Sequence, residues 1–120
     1  MGRALIIEDE LLIALHVQTL LEDEGHCVVG TARTADDAVD LAKAHDLDVI
    51  IADIRLADGS QGHDAVARIR AGQEVAVIFV SGNVMGEDDE DLERFAPLAV
   101  LTKPFNPNSL IDALKSISRG

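Results

Sequence analysis

Five short runs of aliphatic and β-branched residues punctuate the chain: ALII at 4–7, CVVG at 27–30, DVIIAD at 48–53, VAVIFVS at 75–81 and LAVLTK at 98–103. They are continuously apolar and do not alternate with polar residues, the pattern of a strand buried on both faces. Between them the apolar residues fall at helical steps: Ile13, Val17, Leu20 and Leu21, then Ala38, Leu41 and Ala42, then Ala65, Val66 and Ile69, and last Leu110, Ala113, Leu114 and Ile117. Thr34 with Asp37 three residues on, and Asn106 with Pro107 behind it, are the caps that start helices. The segment 86–95, GEDDEDLERF, has an apolar face reduced to Leu92 and Phe95 and predicts a short fourth helix. Five strands alternating with five helices imply an α/β, doubly wound fold, a parallel sheet covered by helices on both faces. In such sheets ligands bind beyond the carboxyl ends of the strands, where strand order reverses.

Composition narrows the class. Residues 1–120 are expected to form one domain, long enough to bury roughly two thirds of the unfolded surface. A formal charge of −12 argues against a nucleic-acid backbone or an anionic membrane as partner. No apolar run reaches the length of a membrane span or a signal peptide, and cytoplasmic residence is expected. Cys27 stands alone in an apolar run and reads as a small buried residue, with no disulfide framework. The four histidines show no zinc-ligand spacing.

The strand ends carry the chemistry. Glu8, Asp9 and Glu10 follow the first strand, Asp53 ends the third, Ser81 the fourth, and Lys103 with Pro104 the fifth. Two unit charges about 4 Å apart repel by roughly 4 kcal/mol at an effective dielectric near 20, so this crowding calls for positive charge. Lys103 supplies some, and the hard oxygens suit a small divalent cation, Mg²⁺ above all. Glu10 is expected at the start of the first helix, against the positive end of its dipole.

These residues, as IIEDE, IIADI, FVSG and LTKPF, resemble the receiver domain of two-component response regulators over the whole chain. The resemblance implies a flavodoxin-like sheet of order 2-1-3-4-5 and a phosphorylation-controlled domain, possessing no activity on outside substrates. It implies Asp53 as phosphoacceptor, with Lys103 and Ser81 contacting the phosphoryl group. Mg²⁺ would be held by Asp9, Asp53 and the backbone carbonyl of Arg55, with Glu8 acting through water, and a cis peptide would precede Pro104. The implied partners are a histidine kinase or histidine phosphotransfer protein, and a downstream target protein docking on the face of helix 4, strand 5 and helix 5, where Val84, Met85 and Leu98 add apolar surface. No output segment follows the last helix, so a single-domain regulator is expected, alongside the reading of a fragment.

Two departures matter. Val100 stands where the family commonly has an aromatic, which puts the usual aromatic swing in doubt. Arg55 and Asn83 lie two residues past Asp53 and Ser81, positions that tune phosphoryl lifetime in the family. The alternatives are an interaction module of the same fold that is never phosphorylated, and an aspartyl-phosphate hydrolase, disfavoured because Arg55 stands where a second acid is usual. A flavin module is disfavoured by the absence of Tyr and Trp.

Overall fold

The structure, a computed structural model, describes residues 2–56, 58–82 and 92–117. Strands β1 (Arg3–Ile7), β2 (Cys27–Ala32), β3 (Val49–Asp53), β4 (Ala76–Ser81) and β5 (Ala99–Thr102) alternate with helices α1 (Leu11–Asp23), α2 (Ala35–Lys43), α3 (Gly62–Arg70) and α4 (Pro107–Lys115). The expected fourth helix falls largely outside the described residues, as do Asn83, Val84 and Met85; its described part, Leu92–Phe95, is a single 3₁₀ turn that buries Leu92 and Phe95. The last expected helix is therefore α4.

The sheet is parallel throughout, in the order β2-β1-β3-β4-β5. Successive side chains of its central strands serve two cores. Leu5, Ile7, Ile50, Ala52, Val77 and Phe79 pack with α2 and α3. Ala4, Ile6, Val49, Ile51, Ile78 and Val80 pack with α1 and α4. That division is why β1, β3 and β4 are apolar without alternation.

The outer strands depart from the expectation. β2 and β5 are edges, each only partly covered, and β2 carries one extra residue, Val29, where its register against β1 slips. Cys27, at the open start of β2, is exposed and not buried, because an edge strand has no neighbour on its outer side. Val100 is 46% exposed on β5, and Leu98 is also exposed.

The caps form as the sequence indicates. Thr34 accepts a hydrogen bond from the Asp37 N–H, and Asn106 from the Asn108 N–H with Pro107 opening the helix. Asp58–Gly59 makes the tight turn after β3, with Gly59 at φ 86°. Gly62 starts α3 against β3: a Cβ there would collide with the carbonyl oxygen of Asp53. Only glycine lets α3 begin this close to the end of the strand.

The amino end of the sheet is closed by two side chains. The Gln73 amide accepts from the Leu47 N–H (2.8 Å) and donates to the Ala42 and His45 carbonyls (3.1 Å each). Arg70 donates through Nε and Nη2 to the Val75 carbonyl (3.0 and 2.9 Å) and through Nη1 to the Phe95 carbonyl (2.6 Å).

Candidate functional site

At the opposite end, strand order reverses between β1 and β3, and both strands deliver acids there. Among the described residues the buried polar or charged side chains are Glu8, His26, Asp53 and Ser81. All but His26 lie at this edge, so the polarity inside the fold is concentrated where the topology opens a crevice. Register does the positioning. Asp53 pairs with Val80 across β3 and β4, Ser81 pairs with Thr102 across β4 and β5, and the Lys103 N–H then donates to the Ser81 carbonyl (2.7 Å). The peptide bond before Pro104 is cis, as the resemblance implies.

Lys103 is the hub. Its ammonium lies 3.0 Å from Asp53 Oδ2, 3.0 Å from Glu8 Oε1 and 3.3 Å from Glu10 Oε1. An ammonium has three hydrogens, and three carboxylates surround this one. The Lys103 side chain is only 14% exposed. Burial works to lower its pKa, but the hydrogen bonds and charges of Asp53 and Glu8 outweigh burial and raise it above the ordinary lysine value. Glu8 moves the other way for an acid: burial raises it to about 7, against the lowering effect of the Glu10 N–H and of Lys103. The Glu10 N–H donates to Glu8 Oε2 (3.0 Å), which ties the first acid to the start of α1.

Glu8, Asp9 and Asp53 can each offer a carboxylate oxygen such that all three lie within 4.8 Å of one another. Three hard oxygens at that spacing, beside an open hollow of about 400 Å³ lined by Asp9, Glu10, Asp53, Arg55, Ser81 and Lys103, fit a small hard cation that keeps part of its water shell. No histidine belongs to this cluster. Larger hollows, of about 490 and 580 Å³, lie at the amino end of the sheet around Gln73 and Arg70, without a comparable convergence of acids among the described residues.

The structure thus brings together Glu8, Asp9, Asp53, Ser81 and Lys103, and Arg55 lines the same hollow while bridging to Gln61. The Asp58 loop, expected from the sequence to border the site, is not among the residues lining this hollow and holds itself in shape. The Ser60 hydroxyl and N–H both donate to the Asp58 carboxylate, keeping its pKa below the usual range. Glu10 stands where the sequence expects it, at the start of α1, but its contact with Lys103 was not foreseen. Its side chain makes no cap hydrogen bond and reaches the ammonium instead. The third consecutive acid in LIIEDE was the available signal.

Comparison with known proteins agrees with this arrangement. Residues 4–115 match the family model described as the response regulator receiver domain. The chain is 45% identical over 104 residues to the phyllosphere-induced regulator PhyR of Methylorubrum extorquens, covering 86% of this chain and 38% of that protein. It is 36% identical over 119 residues to the transcriptional regulatory protein PdtaR of Mycobacterium tuberculosis, covering 98% of this chain and 57% of that protein. It therefore spans less than two thirds of the length of either relative. In structure it superposes with a TM-score of 0.86 on the solution structure of the PhyR receiver domain from Erythrobacter litoralis, at 34% identity and with 97% and 88% of the two chains covered. With its fold, its acid cluster and its sequence in agreement, this chain belongs to the family of response regulator receiver domains.

Proposed function

We propose that residues 1–120 act as one phosphoacceptor domain in which Asp53 receives a phosphoryl group from a histidine kinase, a histidine phosphotransfer protein or a small acyl phosphate. The observation that carries this reading is the buried Asp53 carboxylate, 3.0 Å from the Lys103 ammonium and beside two further acids. Asp53 attacks phosphorus in line, a P–O bond forms, and the donor's bond to phosphorus breaks with its electron pair leaving on the donor. Lys103 and Ser81 bind the equatorial oxygens that accumulate charge. Asp9, Asp53 and the Arg55 carbonyl would hold Mg²⁺, with Glu8 acting through water, and the cation supplies charge neutralisation to the transferring group. Burial matters because it keeps competing water few and the electrostatics strong.

The domain signals through protein contacts. Support for a protein target comes from Leu98 and Val100, apolar and exposed on the β5 edge beside α4, together with a net charge that disfavours nucleic acid. Among the described residues no helix is long and apolar enough to cross a membrane. That is compatible with the cytoplasmic setting such donors require. Turnover of outside phosphoesters is not part of this reading, since Arg55 occupies the position two residues past Asp53 where hydrolases of this architecture carry an acid.

Intact-protein mass spectrometry after incubation with acetyl phosphate and Mg²⁺ tests it. The expected result is one phosphoryl adduct, lost in Asp53→Asn and with EDTA. An adduct that survives Asp53→Asn, or none even with a histidine kinase present, overturns it in favour of a module that is never phosphorylated.

A further inference from the structure

Lys103 and a divalent cation want the same oxygens. Glu8 and Asp53 are two of the three acids able to gather round a metal, and they are also the two carboxylates 3.0 Å from the ammonium. A cation entering the cluster competes with Lys103 for both, and its charge repels the ammonium. Glu10 is placed differently. It lies outside the metal-capable trio, is 63% exposed, and touches the ammonium at 3.3 Å. Its side chain has no helix-capping bond to explain it, while its backbone is pinned by the hydrogen bond to Glu8. Glu10 and Lys103 together also line a second hollow of about 350 Å³, with Ile13, His16 and Phe105, next to the acid site. The lysine side chain has room to move on that side while keeping its Glu10 contact.

We propose that Glu10 is a positioning residue: it retains the Lys103 ammonium at the mouth of the site when a divalent cation takes Asp53 and engages Glu8 through its water shell, so that the lysine yields to the metal yet stays within reach of an incoming phosphoryl group. The inference rests on the metal reading above and adds a residue to it. Without Glu10 the ammonium has, among the described residues, no second anchor, remains on Glu8 and Asp53, and competes with the metal in full.

Mg²⁺ binding to the unphosphorylated protein, followed by isothermal titration calorimetry, tests it without reading activity. Glu10→Gln is expected to raise the Mg²⁺ dissociation constant roughly three-fold, the scale of one exposed ion pair. Glu10→Asp separates reach from charge. It keeps the negative charge near the metal but withdraws the carboxylate by one methylene, and it is expected to weaken binding as Glu10→Gln does. In a Lys103→Met background Glu10→Gln is expected to have no effect, because the competitor is gone. Wild-type affinity in Glu10→Asp, or an equal loss from Glu10→Gln in both backgrounds, would show a general charge effect and overturn the proposal alone. Absence of Mg²⁺ binding by the wild type would overturn the metal reading and the proposal together.

Discussion

The two ends of the sheet close in opposite ways. At the amino end the polar side chains meet backbone groups: the neutral Gln73 amide serves three residues at once, and Arg70 ties the start of β4 to the Phe95 turn. Every partner there is a peptide group, most of them in the loops that enter β3 and β4. At the carboxyl end the partners are ionised side chains, with three carboxylates round one ammonium and Asp9 alongside. The first arrangement satisfies groups that burial would otherwise leave unpaired. The second gathers like charges that repel around one lysine, and burial above all, with a smaller push from Asp53, raises the pKa of Glu8 despite that lysine. Stability is invested at one end of the strands and a reactive imbalance is kept at the other.

The sharpest way to break the contrast is to remove the lysine. In metal-free protein, Lys103→Met leaves Glu8 and Asp53 buried without a counter-charge and is expected to cost about 3–5 kcal/mol at pH 8 by urea unfolding. The cost shrinks at pH 5, where Glu8 takes up a proton. A second expectation concerns pH alone. The folded pKa of Glu8, about 7, lies above its ordinary value of 4.5, so the native chain holds a proton that the unfolded chain has lost between those limits. Stability from this group is present at low pH and falls as pH rises through about 7, by about 3 kcal/mol in all. Denaturant titrations of Glu8→Gln in EDTA should therefore show a flatter pH dependence than wild type between pH 5 and 7. At the other end, Gln73→Ala is expected to cost about 2 kcal/mol through the unpaired Leu47 N–H and two unpaired carbonyls. That loss should be equal at pH 5 and pH 8, because an amide does not titrate. A strong pH dependence in Gln73→Ala would erase the distinction between the two ends.

The central sheet was legible because β1, β3 and β4 are buried on both faces, so their identity is written in unbroken apolar runs. The same rule misjudged the edges. CVVG and LAVLT look equally apolar, but burial of an outer strand depends on which neighbour it lacks, and sheet order is not a local property of the run. Cys27 was misread for that reason. In the site, the acids and the lysine were legible from their places at strand ends, since topology alone brings strand ends together. Glu10 was not. Whether a side chain at a helix start caps its own helix or reaches a neighbouring strand is decided by the fold, and both outcomes use the same residue.

The Lys103 hydrogen bonds reach residues 95, 93 and 50 positions earlier in the chain. Contacts of such span are made late, after the entropy of closing a long loop has been met. On a growing polypeptide the acids of LIIEDE and Asp53 emerge well before β5 can dock and bring the ammonium to them. An incomplete chain therefore carries the acidic half of the site without its cation, and the whole sheet has to be in place before the site's charges are paired.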